Sequence, residues 1–220
     1  MSYLAKAREP ISSLSHCIGA VVFAAATLLL VGKTLFDDWS PKILVGVIVF
    51  GASLVALYSA SAIYHFSNGS AKRILRLRKL DHSMIYVLIA GSYTPILLKY
   101  LPQHESLVFV SVIWGCAVLG VVIKLCWFSA PRWLQTVLYI AMGWVCVLAM
   151  PQLVAGLSFG AFMWLLAGGL FYTVGGVIYA MKFPVFHNRF QYFGCHELFH
   201  VFVMAGSLCH FIVMYVYLCS

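Results

Sequence analysis

Two histidines stand four residues apart at the head of the last long apolar segment, in the sequence His196-Glu197-Leu198-Phe199-His200. On a helix, residues at this spacing share one face and lie one turn apart, so both imidazoles can reach one point. They are a ready pair of nitrogen ligands for Zn²⁺. The same residues also match the H-E-x-x-H signature of zinc proteases, in which the glutamate acts as general base. The pattern leaves both kinds of zinc site open.

The composition predicts that this pair lies in a membrane protein. The chain has 220 residues, of which 63% are hydrophobic and 9% are charged, whereas soluble domains carry about 25% charged residues. Seven segments reach the length of about 20 mostly apolar residues that a bilayer requires. They cover residues 14–32, 43–65, 82–100, 106–127, 133–151, 159–181 and 197–218. Because the connections are short, we predict an all-α bundle of seven transmembrane helices that forms one domain over residues 1–220.

The distribution of basic residues predicts the orientation of this bundle. With the N-terminus in the cytoplasm, only Lys33, Lys42 and Lys99 of the 14 basic residues would lie outside. The positive-inside rule therefore predicts a cytoplasmic N-terminus and an external C-terminus. This topology explains the net charge of +8, so the charge does not indicate nucleic-acid binding. We expect membrane lipids as partners, and the basic run 72–79 could hold anionic lipid headgroups.

The predicted topology brings more polar residues to the membrane level of the histidine pair. The second span ends at His65, with Ser61 one turn earlier on the same face, and the third span begins at Asp81. Each of these residues also has a plain structural explanation. His65 could simply sit at a helix end, Ser61 could hydrogen-bond its own helix backbone, and Asp81 could cap the third helix.

A catalytic zinc site takes three protein ligands and leaves the fourth position for water. His65, His196 and His200 would supply those three ligands, and Asp81 could bind or deprotonate the water. Ser61 could help to hold a developing oxyanion. Two more histidines at this level are reserve candidates for orienting the ligands from behind: His16 and His82.

The combined pattern of Ser61-x-x-x-His65, Asp81 and His196-x-x-x-His200 resembles the progesterone and adipoQ receptor family. Residues 64–65, 80–82, 89–95 and 141–144 resemble its bacterial hemolysin III branch. The resemblance implies a seven-helix protein of the bacterial cytoplasmic membrane, with Zn²⁺ held by the three histidines near the cytoplasmic face. It implies that Asp81 lies near the metal-bound water, with Ser61 close by. The wider superfamily includes alkaline ceramidases, which implies hydrolysis of lipid amides, and family members are linked to membrane lipid and fluidity homeostasis.

Three functional hypotheses follow. The first is a zinc-dependent lipid amidase, and the second is a non-enzymatic membrane regulator or receptor with a structural zinc. An open fourth ligand position favours the first and a fully ligated site favours the second. The third is a pore-forming hemolysin or an intramembrane metalloprotease with Glu197 as base. A protease needs a third ligand, often a carboxylate on a later or separate helix, and no Asp or Glu follows His200. A secreted pore-former would not carry so strong a positive-inside bias.

Overall fold

The computed structural model describes residues 6–37, 39–181 and 193–219, and every regular element in them is helical. The α-helices are α1 (Pro10–Phe36), α2 (Pro41–Phe66), α3 (Ala71–Tyr100), α4 (Gln103–Cys126), α5 (Arg132–Gly143), α6 (Met150–Gly156), α7 (Phe159–Met181) and α8 (Cys195–Ile212). A short 3₁₀ stretch, Val145–Ala149, links α5 to α6, and α8 continues as a π-helical segment, Val213–Leu218. The predicted all-α class is confirmed.

The turn between α2 and α3 determines which ends of these two helices lie together. Gly69 has φ +143°, a conformation that side-chain-bearing residues rarely adopt. Ser70 then caps α3 by accepting a hydrogen bond from the Arg73 N–H at 3.4 Å. The tight turn makes α2 and α3 antiparallel neighbours, so the last turn of α2 stands beside the first turns of α3. Asp81 lies inside α3, so the alternative that it caps this helix is wrong.

Six helical stretches of the described residues are long and apolar enough to cross a membrane. They are Pro10–Phe36, Pro41–Phe66, Gln103–Cys126, Arg132–Gly156, Phe159–Met181 and Cys195–Leu218. The remaining predicted span, 82–100, is helical within α3 but is not among the six. Its apolarity is lowered by the buried side chains of Ser83, Ser92 and Thr94. The last two donate hydrogen bonds to carbonyls of their own helix. The protein is thus polytopic, with six candidate membrane-spanning helices.

The predicted span 133–151 is one stretch in the sequence but is interrupted in the structure. Trp144 leaves helical geometry, with φ −98° and ψ 6°. Tyr93 from α3 donates its hydroxyl to the Gly143 carbonyl at 2.5 Å and accepts from the Cys146 N–H at 2.9 Å. Backbone groups freed at membrane depth must find partners inside the protein. Tyr93 supplies a partner for the Gly143 carbonyl and for the Cys146 N–H at this interruption.

Close contact between α1 and α2 fixes the helices that carry the polar end. A Cβ added at Gly51 would lie 2.1 Å from the Thr27 side chain, so only a hydrogen fits between these helices. Phe23 of α1 stacks on Tyr58 of α2 with ring centroids 5.0 Å apart. Tyr58 and the neighbouring Phe50 are fully buried. This packing holds the first two helices together up to the end where the histidines lie.

Candidate metal centre

Three histidines from two helices meet at one end of the bundle. His65 lies in the last turn of α2, and His196 and His200 occupy the first two turns of α8. One ring nitrogen from each lies within 4.8 Å of the other two. His65 Nε2 and His196 Nε2 are 3.1 Å apart, and His65 and His200 are 1% and 2% exposed. The convergence predicted from the helix ends is confirmed.

The donor set and its spacing fit a small divalent cation. Zn–N bonds of about 2.0–2.1 Å place two ligand nitrogens no more than about 4.2 Å apart. The His65–His196 pair lies within this limit at 3.1 Å, and all three nitrogens lie within 4.8 Å of one another. Imidazole ligands suit zinc and other first-row divalent metals. This group of residues could therefore hold a metal ion.

The segment before α1 holds His65 from behind. Its Nδ1 hydrogen-bonds with a carboxylate oxygen of Glu9, and the Glu9 N–H donates to the His65 carbonyl at 3.0 Å. Burial alone would raise the pKa of the Glu9 carboxyl, but the hydrogen bond with His65 and the charge of Arg8 lower it from 4.5 to about 2. An ionised Glu9 keeps the proton on Nδ1 and directs the Nε2 lone pair toward His196, as carboxylates behind metal-binding histidines do.

Helix α1 contacts His200 through two residues. The His16 ring stacks on the His200 ring, with centroids 3.6 Å apart and planes 12° from parallel. Ser15 Oγ lies 3.5 Å from His200 Nδ1. These contacts fix the plane of the His200 ring. His16 therefore lies against a member of the cluster and contacts it by ring stacking.

Asp81 and Ser61 lie together on the other side of the cluster. The Ser61 side chain hydrogen-bonds with the Asp81 carboxylate, and both residues are buried. Both line the same cavity as His196 and His200. A serine hydroxyl has a single proton, and donating it to the carboxylate leaves none for an oxyanion. Ser61 thus holds Asp81 in place.

His82 belongs to the surroundings of Asp81 and of the neighbouring loop. Its Nε2 lies 3.9 Å from Asp81 Oδ2, and its ring is 5.9 Å from the ring of Phe128 in the turn after α4. The group of described residues that could hold a metal ion consists of His65, His196 and His200, without His82.

Both oxygens of Glu197 are engaged away from the three histidines. Oε1 accepts a hydrogen bond from Ser12 Oγ at 2.7 Å, and Oε2 accepts from the Gly194 N–H at 2.8 Å. The second contact satisfies a free backbone donor in front of α8, the usual role of a carboxylate in a first helical turn. Glu197 therefore ties α8 to α1. This arrangement does not favour a role as general base.

A cavity of about 200 Å³ extends from the polar cluster into the bundle. This volume would hold on the order of a dozen water molecules. Away from the cluster, most of its lining is apolar and comes chiefly from α3 and α7, with one residue from α2. Examples are Leu57, Ile85, Leu88, Ile96, Phe162 and Leu165. An apolar chamber with a few polar groups at one end is suited to an amphipathic molecule.

Comparison with known proteins identifies the family. The haemolysin-III-related sequence profile matches residues 4–211, nearly the whole chain. The chain belongs to this family. It is 32% identical to the hemolysin-3 homolog of Bacillus subtilis over 95% of this chain and 93% of that protein. It is 31% identical to hemolysin-3 of Bacillus cereus over 95% of this chain and 91% of that protein.

A more distant relative of this haemolysin-III-related chain is the adiponectin receptor protein of Drosophila melanogaster. The two are 27% identical over 90% of this chain and 48% of the receptor. The resemblance drawn from the sequence motifs is confirmed. Together with the six apolar helices, the family identifies the chain as a multi-pass bacterial membrane protein.

The structure adds three residues of the haemolysin-III-related chain that the sequence motifs did not indicate. They are Glu9 behind His65, Ser12 bound to Glu197, and Ser15 beside His200. All three lie in α1 or directly before it. One signal was present in the sequence: the chain has only six acidic residues, and a carboxylate beside a membrane span is costly unless it is paired.

Proposed function

We propose that this protein is a zinc-dependent hydrolase of lipid amides. The observation that carries the proposal is a carboxylate on the cavity that two members of the three-histidine group line. In the described residues the group has three members and no fourth protein ligand. A three-ligand set is typical of catalytic zinc sites, because it leaves a position for water or substrate. Asp81, held by Ser61, lines the cavity beside His196 and His200.

A bound zinc ion would supply a Lewis acid and a water of lowered pKa at this site. The residues of the chain do the rest. The apolar cavity holds the acyl chain, so that the amide carbonyl lies at the polar end. Asp81 accepts a proton from the attacking water as the water oxygen bonds to the carbonyl carbon. Asp81 then passes that proton to the amide nitrogen as the C–N bond breaks, which releases a fatty acid and an amine.

Glu9 and His16 act on the ligands. Glu9 fixes the tautomer of His65, and His16 fixes the plane of the His200 ring. Both contacts restrict the ligands to one arrangement before any metal arrives. Such preorganisation strengthens metal binding, and losing a partner of this kind typically costs about 10–100-fold in affinity or activity.

A regulator or receptor with a structural metal is the second candidate. It is favoured because the centre connects helices from the N-terminal and C-terminal parts of the chain. The three histidines join α2 to α8, and the Ser12–Glu197 hydrogen bond joins α1 to α8. An ion at this point would stabilise the arrangement of three helices without any turnover.

A direct assay distinguishes the two candidates. Purified, zinc-loaded protein in detergent should release fatty acid from a fluorescent N-acyl sphingoid lipid, with chelation abolishing the reaction and added Zn²⁺ restoring it. His196→Ala is the matched inactive control. Product would be measured by chromatography. Stoichiometric zinc without release from any N-acyl lipid tested would contradict the amidase and favour the structural role.

Seven spans with a cytoplasmic N-terminus complete the proposal, and they place the histidine centre at the cytoplasmic side. A fluorescent protein inserted after Gly69 should be bright, and alkaline phosphatase fused after Ser220 should be active, because it folds only outside the cytoplasm. The reciprocal fusions serve as controls and should be silent. A bright fluorescent fusion after Ser220 would contradict an odd number of spans.

A further inference from the structure

Four cationic side chains gather beside the histidine centre but do not take part in it. Arg78 and Lys79 come from α3, Lys124 from the end of α4, and Arg132 from the start of α5. Three of them surround the Phe128 ring: the Arg78 guanidinium carbon is 5.2 Å from its centroid, and the Lys79 and Lys124 ammonium nitrogens are 5.9 and 4.7 Å away. Arg78, Lys124 and Arg132 also line a cavity of about 290 Å³.

The charges at this cavity are only partly balanced by the carboxylates of the described residues. The sequence has six acidic residues, and five of them lie in the part of the chain that the structure describes. Other carboxylates of the described residues lie at the opposite end of the bundle or are already bonded elsewhere: Asp37, Glu105, Glu9 and Glu197. Among the described carboxylates that leaves Asp81, whose charge attracts that of Lys124, and one carboxylate cannot offset three cations at the cavity. Gathering like charges at a partly buried place is unfavourable, so the cluster favours an anion.

Lys124 is arranged to donate into this cavity. It is 3% exposed, and its ammonium donates to Oε1 of Gln135. Gln135 is held in turn by donating its amide to the Ala130 carbonyl at 2.7 Å. An ammonium has three donors, so this network orients Lys124 and uses one of them. The guanidinium groups of Arg78 and Arg132 offer forked donors that match phosphate oxygens.

The cationic cavity adjoins the apolar cavity of the histidine centre. His82, Gln135 and Tyr179 line both. A charged head and an apolar chain of one molecule could therefore lie in the two cavities together. Basic pockets between membrane helices are known sites for phosphate-bearing lipid headgroups.

The nearby residues Lys72, Arg73 and Arg76 differ, because they are exposed and line neither cavity. A topology signal alone explains those three. It does not require three basic side chains from three helices to border one cavity. We propose that the cavity lined by Arg78, Lys124 and Arg132 is a binding site for a phosphate group, carried by an anionic phospholipid or free in solution. The site extends beyond the proposed hydrolase activity and does not depend on turnover.

Fluorescence anisotropy of detergent-purified protein tests this proposal. The probes are acyl-labelled phosphatidylglycerol and the same labelled diacylglycerol without the phosphoglycerol group. We expect the phospholipid to bind at least about tenfold more tightly, because it gains charge-assisted hydrogen bonds. Arg132→Gln, at an exposed side chain, should weaken phosphatidylglycerol binding about tenfold and leave diacylglycerol binding unchanged. Lys124→Gln should have the same effect from within the cavity.

Arg76→Gln is the matched control, because it removes the same charge from an exposed position at the same end of α3. It should change binding less than twofold. Sodium phosphate, tested against sodium chloride at equal ionic strength to correct for screening, distinguishes the two sources of phosphate. If sodium phosphate displaces the phospholipid only at tenfold or more the phospholipid concentration, the lipid is the ligand. If sodium phosphate displaces it at an equal concentration, free phosphate is the ligand. Equal binding of the two lipids, or equal effects of Arg76→Gln and Arg132→Gln, would overturn the site.

Discussion

Each of three single replacements should remove the bound metal from the purified protein: His65→Ala, His196→Ala and His200→Ala. The wild type should retain about one zinc per chain after dialysis, and each variant less than about a tenth of that. Each side chain contributes one of three ligand atoms within 4.8 Å, and two imidazoles alone hold zinc weakly. Elemental analysis of dialysed samples measures the metal. His104→Ala, an exposed histidine outside the cluster, is the matched control and should retain full zinc.

A graded result is expected around the same centre. Glu9→Gln should lower zinc affinity by about 10–100-fold without abolishing binding, because it removes the carboxylate behind one ligand and leaves all three imidazoles. Zinc affinity should also fall in acid, since ligand imidazoles must be neutral to bind the metal. Full zinc occupancy surviving all three single histidine replacements would rule out the site.

Asp81→Asn should abolish lipid-amide hydrolysis while zinc remains bound. The amide preserves the volume of the side chain and a contact with Ser61, but it cannot accept a proton from water. General-base catalysis contributes about 10²–10⁴-fold in rate, so we expect a loss of that size. The rate on the N-acyl lipid and the zinc content of the same sample are the two measurements.

Glu197→Gln provides the matched comparison. One carboxylate oxygen of Glu197 accepts from Ser12 and the other from the Gly194 N–H. Loss of the carboxylate charge should therefore reduce the free energy of unfolding by about 0.3–1 kcal/mol. The reaction rate should change only a few-fold. The opposite ranking, with Glu197 essential and Asp81 dispensable, would favour protease-like chemistry over the lipid amidase.

The fold could be predicted from the sequence where apolar length alone decides the structure. Six of the seven predicted spans correspond to long apolar helices. The interruption at Trp144 could not be predicted, because Tyr93 from another helix supplies the hydrogen bonds that permit it. The structure of α3 is likewise not evident from hydropathy alone. Ser92 and Thr94 lower its apolarity in the sequence, although hydrogen bonds within the helix satisfy both of them in the structure.

The candidate site could be predicted where spacing and helix ends determine geometry. His196 and His200 share a face at i and i+4, and the ends of the spans bring His65 to the same level. Glu9 could not be assigned to His65, because the two are 56 residues apart and meet only through the packing of α1 on α2. Ser61 could not be assigned to Asp81 from the sequence either, because the two residues lie on different helices and no motif gives the distance between them. Its hydrogen bond with Asp81 is seen only in the folded protein.

The hydrogen bond between Ser12 and Glu197 bridges 185 residues of chain. At ribosomal rates of 5–20 residues per second, α1 enters the membrane about 10–40 s before α8 is made. The contact of Glu9 with His65 is available as soon as the second helix arrives, but two of the three imidazoles belong to the last one. A newly made chain must therefore insert almost completely before the three imidazoles can meet. If the centre holds a metal ion, loading is a final step of biogenesis, and an occupied centre reports that the first and last helices are packed together.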